Sequence, residues 1–153
     1  MPSERDRRNA DAVRAAARLA KVAGTALAEG DMTLAQYRVL VFLDAGARPA
    51  TQVAQLLDVT PPTVTSLVDA LESRGLVARS ADPDDRRRVV CSLTPAGRRA
   101  LQRGDVLVGE RLGRLLDRLA PGEAEQAVSG LEALNRAMEL ALADRFGRPG
   151  DPR

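Results

Sequence analysis

The sequence predicts a mainly α-helical fold that carries one small β-hairpin. Three observations predict it. Apolar residues recur at helical spacing over most of the chain, in stretches bounded by capping residues, glycines and prolines. That period gives way to two short strand-like runs only between residues 76 and 93. Apolar residues make up 44% of the chain but aromatic residues only 2%, with two Phe, one Tyr and no Trp. A core built from Leu, Val and Ala suits packed helices.

From about Asp6 to Glu29 the chain is Ala-rich, and Val13, Ala16, Ala17, Ala20, Ala23, Gly24 and Leu27 repeat at helical spacing. This is one long helix whose small residues let a second helix approach closely. Gly30-Asp31 breaks it. Thr33 then stands as an N-cap with Gln36 three residues on, and the next helix runs from Leu34 to about Asp44. Leu34, Tyr37 and Val41 form its stripe, Leu40 and Leu43 lie beside it, and Gly46 is its stop. Pro49-Ala50-Thr51 opens a short helix, Gln52 to Leu57, that buries Val53, Leu56 and Leu57. After the turn Asp58-Val59-Thr60 a further helix begins. Pro61 and Pro62 fit its first turn, where a missing N–H costs nothing. Val64, Leu67, Val68 and Leu71 give its inner stripe, and Gly75 after Arg74 takes the left-handed cap position. Two helices joined by a tight turn make a helix-turn-helix candidate, the second presenting Thr63, Thr65 and Ser66 outward.

Leu76 to Ser80 and Arg88 to Leu93 read as two strands, joined through Ala81-Asp82-Pro83-Asp84-Asp85-Arg86-Arg87. A hairpin directly behind a helix-turn-helix is a wing. Thr94 caps and Pro95 opens a helix that runs to about Leu119, with Leu101, Val108, Leu112, Leu115 and Leu119 on one broad face. Ala120-Pro121-Gly122-Glu123 breaks the chain and starts a last helix carrying Ala127, Leu131, Leu134, Met138, Ala141 and Leu142. Residues 147–153 hold two prolines and two glycines and are expected to be a frayed tail. The organisation expected is a winged helix-turn-helix domain over 33–93, and a helical region made of 6–30 and 95–146.

With 153 residues the chain fits one compact protomer. It has no histidine, which removes the commonest metal ligand and general base, and one cysteine, which cannot form an intrachain disulfide. Neither usual glycine-rich phosphate loop occurs. No metal, cofactor or enzymatic activity is therefore expected. No apolar run approaches the roughly 20 residues that span a bilayer, so no membrane association is expected. The start, Met1 to Arg8, lacks the apolar stretch of a signal peptide, which makes the cytoplasm the expected compartment. Lys21 is the only lysine, and net charge is +2. That balance is too small to indicate a nucleic-acid partner, so the placement of the arginines must carry the argument.

An α-helix fits the major groove of B-DNA, about 12 Å wide, and its first turn meets base edges and phosphates. Thr60, Pro62, Thr63, Thr65 and Ser66 lie at that end of the helix; Thr60, Thr63, Thr65 and Ser66 supply hydroxyls there, and the free first-turn N–H groups are expected to favour a phosphate. Arg86, Arg87 and Arg88 stand together at the hairpin. Like charges on an exposed tip do little for folding, but they suit a narrow minor groove, where the negative potential is enhanced. Asp82, Asp84 and Asp85 offset the local charge, and at least one is expected to orient an arginine.

Several blocks now resemble a known family. They are Leu34-Ala35-Gln36-Tyr37-Arg38-Val39-Leu40, Val53-Ala54-Gln55-Leu56-Leu57, the run from Pro62 to Val77, Asp82-Pro83-Asp84-Asp85-Arg86-Arg87-Arg88, and Leu93-Thr94-Pro95-Ala96-Gly97. The last three, in this order and spacing, are specific, and the whole resembles the MarR family of bacterial winged-helix regulators. The resemblance implies a homodimer formed by the first, penultimate and last helices. It also implies two recognition helices set about 34–36 Å apart on double-stranded DNA of near-palindromic sequence. It places Thr63, Thr65 and Ser66 on the recognition helix and Arg86 and Arg87 on the wing. Many members carry arginine where this chain has Ser66, so affinity or base preference is expected to differ. The family's repressors commonly respond to a small phenolic or lipophilic effector. The corresponding pocket here would include Tyr37, Arg38, Arg14 and Arg18. A peroxide-sensing branch uses a cysteine near the start of the second helix, where this chain has none. Cys91 is expected to be a small buried hydrophobe. On the residues alone, a winged-helix protein-interaction module without DNA binding is the alternative.

Overall fold

In a computed structural model of the chain, residue 1 and residues 3–146 are described, and the tail expected at 147–153 lies outside them. Among the described residues there are six helices and three short strands: α1 Glu4–Ala28, α2 Leu34–Asp44, β1 Arg48–Pro49, α3 Ala50–Leu57, α4 Pro61–Ser73, β2 Val77–Ala81, β3 Val89–Leu93, α5 Pro95–Leu116 and α6 Pro121–Phe146. The chain is thus mainly α-helical with a small antiparallel sheet, in the order β1-β3-β2. None of the helices is long and apolar enough to cross a membrane.

Local chemistry explains most boundaries. At the head of α2 the Thr33 hydroxyl accepts the Gln36 N–H at 3.1 Å while the Gln36 side chain accepts the Thr33 N–H at 3.0 Å. The same reciprocal cap opens α1, between Ser3 and Asp6. Asp31 and Asp58 take left-handed backbone at φ 53° and 55°, turning the chain out of α1 and α3. Gly75, at φ 68°, ends α4. Strand β2 pairs with β3 from Val77↔Leu93 to Ala81↔Val89. Strand β1 was not expected. Its two residues pair as Arg48↔Cys91 and Pro49↔Val90, too short to show a period, and proline is tolerated there because β1 is an edge strand.

The core gathers Leu27, Val39, Leu40, Leu43, Val53, Leu57, Val64, Val68, Leu71, Val77 and Cys91 beneath α2 to α4 and the sheet. Val41, placed on the inner stripe of α2 by its period, is 42% exposed, and Val39 is buried instead. Helix α2 packs against α1, α3, α4, α5 and β3, so its buried face is set by these neighbours together. Helix α5 stops at Leu116, a turn earlier than its apolar pattern, and Leu115 and Leu119 are exposed. Its first turn sits on the end of α4. Thr94 donates to the Gly75 carbonyl at 2.6 Å and accepts the Gly97 N–H at 2.9 Å. A Cβ on Gly97 would lie 2.0 Å from the Leu76 carbonyl oxygen. By contrast, α6 buries no residue among those described, and its Leu134 and Leu140 are 61% and 63% exposed.

Candidate nucleic-acid interface

Thr60, Pro62, Thr63, Thr65 and Ser66 are all exposed at the start of α4. The Thr60 and Thr63 hydroxyls share one hydrogen bond at 2.9 Å, so one proton of that pair remains for an outside acceptor. Thr65 donates back to the Pro61 carbonyl at 2.9 Å. Ser66 has no internal hydrogen bond from its side chain among the described residues. The expected row of free amides is shorter than sequence reasoning allowed. Pro61 and Pro62 have no N–H, and the Val64 N–H donates to the Thr60 carbonyl at 3.1 Å. The Thr60 amide at the cap and the Thr63 amide in the first turn are left without an internal partner among the described residues, so the four hydroxyls outnumber the amide donors on this surface.

The hairpin loop is held by its own backbone. The Asp82 N–H donates to the Arg88 carbonyl at 2.8 Å and the Arg88 N–H to the Asp85 carbonyl at 2.9 Å. The side chain of Asp82 accepts the Asp84 N–H at 2.9 Å, and that of Asp85 accepts the Arg87 N–H at 3.0 Å. The aspartates therefore shape the turn; they do not orient a guanidinium as expected. Arg86, Arg87 and Arg88 are exposed, and none is paired with a carboxylate among the described residues. Three cations without an internal partner thus stand on a turn whose Asp82 and Asp85 carboxylates are engaged by backbone N–H groups.

One group that sequence reasoning missed joins these two surfaces. Arg79, in the middle of β2, donates from one guanidinium nitrogen to Asp69 at 2.6 Å and from another to Glu72, both on α4. Its backbone N–H also donates to Glu72 at 3.3 Å. The bond to Asp69, then the bond to Glu72, hold the guanidinium more firmly protonated than an isolated arginine. The available signal was a pair of carboxylates three residues apart on a helix, followed by a single arginine in the next strand. Cys91, paired across the sheet with Arg79, is buried, and burial pushes its thiol up, against the opposing charge of Arg79.

The residues expected to meet an effector each have their own surroundings. Tyr37 is half-buried and donates to Asp105 of α5 at 2.6 Å; burial first, then that bond and the carboxylate charge, push its phenol up. Arg38 donates to the Leu57 carbonyl at 3.4 Å, Arg14 pairs with Asp11 at 3.3 Å, and Arg18 is exposed. None of the four lines the cleft of about 320 Å³ walled by Lys21, Val22, Thr25, Arg111, Arg114, Leu115 and Arg118.

A short helix, a turn, an exposed helix start and an arginine-tipped hairpin define a winged helix-turn-helix protein. Comparison with known proteins agrees. A model of the MarR family matches residues 30–88. The HTH-type transcriptional regulator YfiV of Bacillus subtilis is 35% identical over 113 residues, covering 72% of this chain and 70% of that protein. The HTH-type transcriptional repressor MdtR of the same organism is 33% identical over 71% of this chain and 70% of its own length. Among solved structures, CouR from Rhodococcus jostii RHA1 bound to p-coumaroyl-CoA is 28% identical, with a TM-score of 0.63 over 80% of this chain and 87% of that one. The transcriptional repressor CouR bound to a 23-mer DNA duplex is 34% identical, with a TM-score of 0.66 over 82% and 89%. The chain belongs to the MarR family of transcriptional regulators.

Proposed function

We propose that this regulator is a homodimer that binds a pseudo-palindromic operator in double-stranded DNA and represses transcription until a small phenolic or lipophilic effector lowers its affinity. Residues 33–93 serve as the DNA-binding unit, and 6–30 with 95–146 as the dimerisation region. The observation that carries this reading is the pair of exposed surfaces with unused bonding capacity: hydroxyls at the start of α4, and Arg86, Arg87 and Arg88 on the wing. Thr60, Pro62, Thr63, Thr65 and Ser66 approach the major groove, and the arginines approach the flanking phosphates and minor groove. The unburied apolar face of α6 supports the dimer, since a long helix that buries nothing in its own chain needs a partner. CouR, solved on a DNA duplex and with p-coumaroyl-CoA, supports both the duplex and the effector. Tyr37, Arg38, Arg14 and Arg18 form the effector region. Tyr37 joins α2 to α5 through Asp105, so a ligand competing for that bond alters how the DNA-binding unit sits on the dimer helices.

The test is fluorescence anisotropy with labelled duplexes from upstream of the regulator's own coding region, over a range of salt. Affinity is expected to fall steeply as salt rises. In the Arg86→Ala/Arg87→Ala variant the slope of log K against log salt should flatten by about 0.9 for each phosphate no longer neutralised. No salt-sensitive complex on any of these duplexes would remove the reading.

A further inference from the structure

We infer that Arg79 is a positioning residue that sets the wing against the recognition helix, with Asp69 and Glu72 as its two anchor points. This rests on the DNA-binding reading proposed above. Asp69 and Glu72 lie three residues apart, hence on one face of α4, and Asp69 follows Ser66 by about one turn on the helix proposed to enter the groove. The guanidinium is a rigid planar fork, and two of its nitrogens bond two separate carboxylates. One such bond fixes a distance; two from a planar group also fix a rotation. The backbone N–H of Arg79 on Glu72 ties the strand itself, beyond its side chain, to the helix. Arg79 is in register with Cys91 in β3, so the constraint passes to both strands that carry the loop of Arg86, Arg87 and Arg88.

Folding stability is a poor explanation for this arrangement. The side chain of Arg79 is 28% exposed, but that of Asp69 is 60% exposed and that of Glu72 40%, so water screens the carboxylate ends and holds down what the pairs add to stability. Orientation is what the geometry supplies. DNA contacts from α4 and from the wing must land on one duplex together, and an ordered link between them lowers the ordering cost of binding.

The decisive variant is Asp69→Asn/Glu72→Gln. It removes two negative charges from the proposed recognition helix, so charge alone would tighten binding to DNA, while breaking the clamp weakens it. The assay is anisotropy with the labelled upstream duplex on wild type, this variant, Arg79→Lys, and Arg86→Ala/Arg87→Ala in both backgrounds, with circular dichroism melts run alongside. Wild type should bind, and the carboxylate variant should bind about ten-fold more weakly, within the range expected for removing a single specific interaction with DNA. Arg79→Lys, which keeps the charge but not the fork, should fall between them. The penalty of removing Arg86 and Arg87 should shrink in the carboxylate variant, because a wing already misplaced has less to lose. Binding by the carboxylate variant as tight as wild type or tighter, or wing penalties that simply add, would overturn the inference. A wild-type chain that does not bind the duplex fails on the first curve, and that failure belongs to the DNA-binding reading.

Discussion

At Gly97 no side chain fits. Its missing Cβ is what allows the first turn of α5 to rest on the Leu76 carbonyl, and the contact is with backbone, which cannot swing aside. Gly97→Ala is expected to lower stability by about 2–3 kcal/mol, through the shift it forces on the α4–α5 junction; urea unfolding measures it. Tyr37 provides a pH signature. Its phenol is held protonated in the folded chain, above the ordinary value of 10.0, so its contribution is complete below that value. The unfolded chain releases the proton first as pH rises, and stability is lost from about pH 10 upward. Tyr37→Phe should flatten that alkaline decline relative to wild type; equal declines in the two proteins would contradict it. Such residues were unevenly legible. The Thr33–Gln36 cap was visible as a spacing, because its partners are three residues apart. The Arg79–Asp69 bond left only the faint signal of two carboxylates three apart on a helix and one arginine in the next strand, while the Tyr37–Asp105 bond joins residues 68 apart and no local pattern announces it.

Among the elements, α4 shows how two prolines reshape a helix start. They set the backbone of the first turn in advance but strip it of two donors, so this surface works through hydroxyls. Pro62→Ala should lower stability by about 0.4–1 kcal/mol, mainly by loosening the unfolded chain, and urea midpoints can detect it. The helices and both hairpin strands were legible within a few residues, because caps, glycines and the change of period all act locally. Strand β1 and the buried face of α2 were not. The first is two residues long, and the second is chosen by several neighbours at once. The wing arginines were legible as a cluster, but the preference of Asp82 and Asp85 for backbone N–H groups follows from the closed geometry of the loop.

For the whole molecule the decisive feature is the contrast between a well-filled core under α2 to α4 and a last helix that buries nothing in its own chain among the described residues. In the dimer proposed here Leu134 and Met138, one turn apart on the same face of α6 and both exposed in the single chain, become interface, so Leu134→Glu/Met138→Glu should shift the protein from dimer to monomer at micromolar concentration. It should weaken DNA binding in step, while the α2 to β3 core stays folded by circular dichroism. The central claim is that two chains present both helix starts and both wings to one duplex. Sedimentation equilibrium of the protein with a labelled upstream duplex, at two salt concentrations, tests it most directly. The expected result is two chains per duplex at low salt and a marked drop in complex at high salt. One chain per duplex, or a complex indifferent to salt, would contradict it.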